Sequence, residues 1–248
     1  MAGRRRGGVH LGCRDPGRRR PRDGPLTDKL KKDCQLKGED VFPVIFDIVR
    51  SREIPSRGEA QARIEYEFLQ LDPAVHHLQP IRPTLGDEFQ AVYETLSAAL
   101  LATALACLKM PENIEIRAGI GRGPIEVLGE GLVGVLQDGP GWWSARTAVN
   151  EARRLQYTSV PSCRSWFVPA DNKIGDDALV NAYLLSRDIA LEGLSARARR
   201  IISGTYFGMS QKELSLQEKV SQPAISQILR RVGAPALLRG LNGLAAVE

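Results

Sequence analysis

The sequence is poor in the residues that build disulfide frameworks and zinc sites. Its 248 residues include only four cysteines and three histidines. No two cysteines have the C-x-x-C spacing of a zinc site, so we expect four free thiols, at Cys13, Cys34, Cys107 and Cys163. His76 and His77 are adjacent and would face opposite ways in a strand, which is a poor arrangement for two ligands of one metal.

Long apolar runs are also missing. No window approaches the roughly 18 uninterrupted apolar residues that a transmembrane helix needs. The basic N-terminus lacks the apolar segment of a secretory signal. We therefore expect a cytoplasmic protein that does not associate with membranes.

The net charge of +5 conceals a segregation of charge along the chain. Residues 1–24 carry a net +6, residues 25–194 a net −6 and residues 195–248 a net +5. Residues 1–38 are rich in Arg, Gly, Pro and Asp without hydrophobic period, and we predict a disordered basic tail there. The basic C-terminal segment suggests an acidic partner for that part of the chain.

The hydrophobic pattern from residue 41 onward predicts an alternation of strands and helices. In chain order these are a strand at 41–48, a helix at 57–71, a hairpin of 78–84 and 88–93, a helix at 96–108 and strands at 113–121 and 125–128. The order β-α-β-β-α-β is that of a ferredoxin-like palm, an α+β fold with two helices on one face of a mostly antiparallel sheet. We predict this palm domain over 39–170, an edge strand at 165–168 and a linker helix within 171–193.

Two carboxylates fall where that fold would bring them together. Asp47 ends the first strand, and Asp87 sits at the tip of the hairpin, where Gly86 permits a tight turn. Paired carboxylates on rigid elements suit Mg²⁺, which completes its shell with water and phosphate oxygens. The alternative is that Asp47 merely ends a strand and Asp87 merely forms a turn.

A Gly-Pro loop precedes a predicted helix that carries arginines. Asp138 and Gly139 belong to this loop, whose backbone N–H groups could face a phosphate, with Arg146 or Arg154 as a charge clamp. The alternative is a plain turn whose tryptophans pack.

Residues 194–248 predict three short helices at 195–203, 210–218 and 222–232. Ser210 with Glu213 three residues later forms a capping box, and Ser221 is placed as the next N-cap. This pattern predicts a helix-turn-helix, although the turn position that usually holds Gly holds Lys219, which would adopt a left-handed conformation at some cost. A small helical dimerisation domain is the alternative.

The second helix of this motif would enter the major groove of double-stranded DNA. The residues expected to face base edges are Ser221, Gln222, Pro223, Ser226 and Gln227. Arg230 and Arg231 would face phosphates.

Four motifs, in order, resemble the SatD family. They are Asp47-Ile48-Val49-Arg50-Ser51-Arg52, Leu85-Gly86-Asp87-Glu88-Phe89-Gln90, the R-x-G-I-G-x-G run from Arg117 to Gly123, and the D-G-P-x-x-W-x-A-R run from Asp138 to Arg146. Within these motifs we expect a nucleotide or phosphate ligand to contact Ser51, Arg52, Gly86, Glu88, Arg117, Asp138, Gly139 and Arg146.

The same motifs are more distantly similar to class III nucleotidyl cyclases and GGDEF-type palms. That similarity implies that Asp47 and Asp87 hold metal ions. The position of the adenine-selecting Lys falls on Pro83, which cannot donate a hydrogen bond. The catalytic Asn-x-x-x-Arg pair has two registers: with Arg146 the Asn position is Trp142, and with Arg154 it is Asn150.

These observations favour a transcription regulator, in which a cyclase-like palm senses a nucleotide or phosphate ligand with Mg²⁺ and a homodimer binds DNA through its helix-turn-helix. An active Mg²⁺-dependent nucleotidyl cyclase or nucleotidyltransferase, localised by its helix-turn-helix, is the first alternative. A degenerate palm that serves only as a dimerisation scaffold is the second.

Overall fold

The computed structural model describes residues 40–84, 86–131, 134–171 and 176–247. The predicted basic tail, 1–38, lies outside them, as do Cys13 and Cys34. The described residues belong to one compact unit. No helix among them is long and apolar enough to cross a bilayer.

A five-stranded sheet forms the centre of the fold, in the spatial order β2 (Gln79–Pro83), β3 (Glu88–Tyr93), β1 (Phe42–Ile48), β4 (Ile116–Arg122) and β7 (Ser165–Pro169). β1 pairs antiparallel with β3 and β4, and β7 pairs parallel with β4. With helices α1 (Arg57–Leu71) and α2 (Leu96–Lys109), the first four strands give β-α-β-β-α-β, which confirms the ferredoxin-like palm.

Alternation along β1 assigns its residues to two different cores. Val44 and Phe46 face α1 and α2, where the ring of Phe68 of α1 packs against that of Phe46 at a tilt of 49°, with ring centroids 5.2 Å apart. Ile45 instead belongs to a smaller cluster on the opposite face. That face is covered by α3 (Pro140–Thr158), so the sheet lies between helices on both sides.

α3 lies unusually close to β4 because two glycines of β4 face it. A Cβ on Gly119 would fall 2.3 Å from the backbone N of Val149, and one on Gly121 would fall 2.3 Å from the backbone O of Gly141. Gly119 and Gly121 of the R-x-G-I-G-x-G motif are thus required by helix-to-sheet packing. Their sequence pattern had suggested only a family resemblance.

The edge strand β7 is covered by α4 (Asp176–Glu192). The Asn181 side chain takes the place of a further strand: its Oδ1 accepts from Phe167 N at 2.8 Å and its Nδ2 donates to Phe167 O at 3.0 Å. Beside it, Arg187 and Asp188 form a fully buried ion pair at 2.7 Å. These bonds satisfy an edge that would otherwise be open to pairing.

Four helices complete the chain: α5 (Ala196–Tyr206), α6 (Gln211–Glu218), α7 (Gln222–Arg231) and α8 (Ala234–Ala245). The predicted capping box is present, with Glu213 N donating to Ser210 Oγ at 3.2 Å. Lys219 has φ 55°, as predicted for the turn between α6 and α7. Leu214, Ile225 and Leu229 are buried between the helices, so the helix-turn-helix geometry is present.

The helix-turn-helix is packed directly on the palm. α5 and α8 both contact α2, and the main hydrophobic core runs without interruption from Phe46 to Leu241. α2 is apolar on nearly all sides because it is buried by the sheet on one side and by these helices on the other.

Two elements, a strand and the last helix, were not predicted from sequence. The strand is β6 (Gly134–Asp138), which lies where only a loop was expected. It pairs with β5 (Glu126–Gly131), which continues past its predicted end at residue 128. α8 follows the predicted helix-turn-helix with no predicted counterpart. β6 reads as a loop because its sequence, Gly-Val-Leu-Gln-Asp, is short and polar at its end.

Candidate functional site

A row of charged residues crosses the sheet on the face that α3 covers. In the strand register, Asp47 of β1 is directly opposite Glu88 of β3 and directly opposite Arg117 of β4. Residues opposite one another in antiparallel strands project to the same face. The strand pairing therefore brings together residues that are up to 70 positions apart in the chain.

Asp47 is the centre of this row and is only 7% exposed. Its Oδ2 accepts a hydrogen bond from Arg117 at 2.7 Å. Both of its carboxylate oxygens also accept from Nη2 of Arg153, at 3.0 Å each. Two guanidinium groups therefore compensate the cost of burying this carboxylate.

Arg117 is held from two directions besides Asp47. Its Nε donates to Gln156 Oε1 at 2.7 Å, and its guanidinium lies 5.5 Å from the centre of the Tyr157 ring. Burial lowers the pKa of Arg117, and the Asp47 carboxylate opposes that shift. An arginine remains charged through such a shift, so the pair stays ionic at neutral pH.

Glu88 has its own arginine partner on α3. Arg146 donates from Nη1 and Nη2 to the two Glu88 oxygens at 2.5 and 2.7 Å, in the parallel two-bond geometry typical of arginine and carboxylate. These hydrogen bonds raise the pKa of Arg146. The Arg146 and Arg153 side chains remain 48% and 51% exposed, so solvent reaches both guanidinium groups.

Asp87 directly precedes Glu88 in the chain and lies beside Ile48, the last residue of β1. Its backbone O accepts from Ile48 N at 3.3 Å, and its carboxylate accepts a short hydrogen bond from Ser51 Oγ. Gly86 takes φ 82°, the left-handed conformation expected of the turn. Fold topology thus brings the backbones of Asp47 and Asp87 together, as predicted.

The charged groups at this end of the sheet do not form a ready metal site. Among the described residues, no cluster of three or more His, Cys, Asp or Glu side chains could hold a metal ion. Both carboxylate oxygens of Asp47 accept hydrogen bonds from arginines, so a cation would have to compete with two guanidinium groups. The assignment of Asp47 and Asp87 as metal ligands remains a prediction.

The Gly-Pro loop is packed closely against the end of β4. Gly139 precedes α3 with φ 126°, and a Cβ there would fall 3.0 Å from the backbone O of Pro124. Asp138 accepts from Trp143 Nε1 at 2.7 Å, which ties the loop to the first turn of the helix. These contacts explain Asp138 and Gly139 by packing and hydrogen bonding within the protein. The predicted role of the loop in phosphate binding stays a prediction.

The predicted DNA-contacting residues share the outer surface of the helix-turn-helix. Gln222, Pro223 and Gln227 are exposed at the start and middle of α7, and Arg230 and Arg231 are exposed at its end. Ser226 is partly buried. Ser221 is exposed and caps the helix, since its Oγ accepts from Ala224 N at 3.4 Å.

Comparison with known proteins places the chain in a family. Its sequence matches the SatD family over residues 41–242, which covers both the palm and the helix-turn-helix. The chain belongs to the SatD family. The family that the four motifs had suggested is therefore confirmed. A single family match covers both the palm and the helix-turn-helix of this SatD protein.

Solved structures also resemble the SatD chain. One of them is the guanylyl cyclase domain of the RhoGC fusion protein from the aquatic fungus Blastocladiella emersonii, crystallised as a monomeric double mutant. The two sequences are 19% identical, and the match covers 46% of this chain and 74% of that one with a TM-score of 0.36. Likeness at this level carries no argument about activity. No curated protein matches the SatD sequence.

Parts of all four SatD motifs meet at one end of β1, through Asp47, Glu88, Arg117 and Arg146. Ser51 joins them through Asp87. Arg52 follows on the turn after β1 and is exposed. The motifs, far apart in sequence, therefore describe one site.

The two proposed registers of the Asn-x-x-x-Arg pair lead to different places in this SatD structure. Asn150 is exposed on α3, and Arg154 pairs with Glu151 on its own helix at 2.6 Å. Arg146 instead reaches Glu88 on the sheet.

Arg153, which sequence analysis did not select, is the α3 residue that reaches Asp47. A signal for it existed, since Arg146, Asn150, Arg153 and Tyr157 recur every three or four residues along one helical stripe.

Proposed function

We propose that this SatD protein is a DNA-binding transcription regulator whose palm binds a nucleotide or another phosphate ligand. One observation carries the proposal: a capped helix-turn-helix with an exposed polar second helix shares a continuous core with the palm. A ligand that shifts the palm would therefore act on the helix-turn-helix through packed side chains.

On DNA, α7 would lie in the major groove with its N-terminal end towards the bases. Gln222 and Gln227 carry the amide groups that pair with adenine edges, and both are exposed. Arg230 and Arg231 at the other end of α7 would contact phosphates. A homodimer would place two such helices on half-sites about one helical turn apart.

In the palm, the ligand site would be the exposed side of Arg146 and Arg153. Each guanidinium has five N–H donors, of which the carboxylates take only some. A phosphate that arrives here meets two half-exposed cations fixed on one helix, and arginine binds phosphate through two parallel hydrogen bonds. Ser51 and Arg52 flank the site.

Asp47 and Asp87 are the residues that would hold Mg²⁺, which would supply positive charge to balance the phosphate groups of a ligand. With Asp47 engaged by two arginines, the present side-chain arrangement fits the metal poorly, so no part of the proposal depends on it.

The DNA-binding proposal is tested with duplexes selected from a randomised library. Gln222→Ala should reduce discrimination between selected and scrambled duplexes by about 1–3 kcal/mol. Arg230→Ala should weaken binding to both alike and reduce the salt slope by about one. Equal losses for both variants on every duplex, or no duplex binding by the intact protein, would contradict the assignment of α7.

The ligand proposal is tested by calorimetric titration with ATP, GTP and cyclic nucleotides, with and without Mg²⁺, followed by product analysis. We expect binding without turnover, weakened by Arg153→Met and, if the metal is used, by Asp87→Asn only when Mg²⁺ is present. Arg154→Met, on the same helix but paired with Glu151, is the matched control. Product formation would identify a nucleotidyl cyclase or nucleotidyltransferase, and absence of binding would reduce the palm to a scaffold.

A further inference from the structure

A cleft of about 820 Å³ opens between the palm and the helix-turn-helix. Its palm side consists of the start of α1, the end of α2 and the loop that follows α2. Its other side consists of α5 and the residues after it. Clefts of 300–1,000 Å³ are the usual size of small-molecule sites. This cleft is separate from the charged row around Asp47, none of whose residues lines it.

Apolar side chains line part of the cleft from both sides. Leu108 and Met110 come from the end of α2, and Phe207 and Met209 come from the segment after α5. Phe207 is 38% exposed, and its ring packs edge-on against that of Tyr206, with the ring centres 5.4 Å apart. Lys109 lies 5.1 Å from the centre of that ring.

Charges of both signs line the remainder. The cations come from three different helices and are Arg63, Lys109 and Arg200, and the carboxylates are Glu59, Glu67 and Glu112. Lys109 is paired with Glu67 at 3.2 Å. Arg63 and Glu59 are exposed, lie one turn apart on α1 and have no ion-pair partner among the described residues, while the charge of Glu112 acts on Arg200 across the cleft.

We propose that this cleft binds a zwitterionic small molecule with an apolar side chain, of the amino acid or short peptide class. The unpaired Arg63 receives the ligand carboxylate, and Glu59 and Glu112 receive its ammonium group. The apolar side chain of the ligand covers Phe207 and Met209. A ligand with only one charge leaves either the cation or the carboxylates without a partner, which is the physical basis of selectivity here.

Occupation of the cleft reaches the helix-turn-helix through Arg200. This residue lines the cleft, and it donates to the two Glu218 oxygens at 2.7 and 2.8 Å. Glu218 is the last residue of α6 and is followed directly by the left-handed Lys219 of the turn. A ligand carboxylate bound by Arg63 and shared with Arg200 draws Arg200 away from Glu218, removes the main partner of Glu218 and loosens this turn. Binding in the cleft does not rest on the proposed function; only its regulatory meaning does.

The test compares three ligands with the same aromatic body: L-phenylalanine, its N-acetyl derivative and its amide. Calorimetry of the full chain should detect L-phenylalanine, and the two singly charged analogues should bind about tenfold more weakly or less. Arg63→Gln should weaken L-phenylalanine at least about tenfold, whereas Arg239→Gln, an exposed arginine on α8 away from the cleft, should change nothing.

Hydrogen exchange gives the second readout, because the Lys219 amide donates to Leu216 O at 3.4 Å within the turn. Saturating L-phenylalanine should speed exchange at Lys219 and Val220. No binding at millimolar ligand, equal binding of all three ligands, or an unaffected Arg63→Gln variant would overturn the site. Binding with unchanged exchange would overturn the link to Glu218. DNA affinity is not measured, so failure here is independent of the DNA-binding proposal.

Discussion

Asp47 keeps a negative charge in a nearly closed position because it has two arginine partners of different character. The Arg117 side chain is only 3% exposed, whereas that of Arg153 is 51% exposed. A buried ion pair loses much more when one partner is removed than a pair that water already screens. Arg117 should therefore mainly stabilise the buried Asp47 carboxylate, whereas the exposed side of Arg153 should mainly serve ligand binding.

Substitution of these arginines should show that difference in stability. Arg117→Met should lower the free energy of unfolding by about 3–5 kcal/mol, because it leaves a buried carboxylate with one half-exposed partner. Arg153→Met should cost about 1 kcal/mol or less. Urea unfolding measures both values, with Arg154→Met as the control that leaves the midpoint unchanged. Equal losses for the two variants would show that burial does not distinguish them.

Residue-level reasoning from sequence succeeded where a residue type has a local role. Gly86, Ser210, Glu213 and Lys219 adopt the turn and cap conformations predicted for them. It missed Arg153, because three arginines lie within nine residues of α3 and only the docking angle of the helix decides which one reaches the sheet.

At the scale of elements, the position of α3 controls the candidate site. This helix carries Arg146 and Arg153, and it rests against β4 at Gly119 and Gly121 without any side chain between the backbones. A displacement of α3 away from the sheet would separate both arginines from their carboxylates. Glycine in β4 is thus a requirement of the site as well as of the fold.

Gly121→Ala should displace α3. The added Cβ would lie 2.3 Å from Gly141 O and 2.6 Å from Ala145 N, both backbone atoms that cannot rotate away. We expect a loss of about 1–3 kcal/mol or more in the free energy of unfolding, and weaker binding of any ligand that contacts Arg146 and Arg153. Thermal unfolding and ligand titration measure the two effects.

Gly58→Ala is the matched control for this experiment. Gly58 lies in the first turn of α1, and a Cβ there meets nothing within 4 Å. Alanine in a helix should stabilise the chain by up to about 1 kcal/mol. If Gly121→Ala were equally benign, the close approach of α3 to β4 would not be what positions the arginines.

At the scale of the whole molecule, the palm and the helix-turn-helix share one core. α2 is the common element, since it contacts the sheet on one side and α5 and α8 on the other. The predicted boundaries of the palm, 39–170, the linker helix, 171–193, and the helix-turn-helix domain, 194–248, stay predictions about folding units. A shared core favours a single cooperative transition across all of them.

Leu241→Ala tests that cooperativity. Leu241 of α8 is 1% exposed within the shared core, so its truncation should cost about 2–5 kcal/mol. All three tryptophans, Trp142, Trp143 and Trp166, lie in the palm, so fluorescence reports on the palm alone. Fluorescence and far-ultraviolet circular dichroism should shift together to the same lower midpoint. A fluorescence midpoint that does not move would show two independent units.

The sequence by itself determined the order of the elements, the α+β palm and the helix-turn-helix, because hydrophobic periodicity, caps and turn residues act over a few neighbouring positions. It also identified the family. Tertiary structure alone decided three matters: that Asp47 is paired with arginines, that Arg153 reaches it, and that α8 and α5 seal the helix-turn-helix onto α2. Each depends on how strands align and where a helix docks, and those choices are made by contacts between residues far apart in the chain.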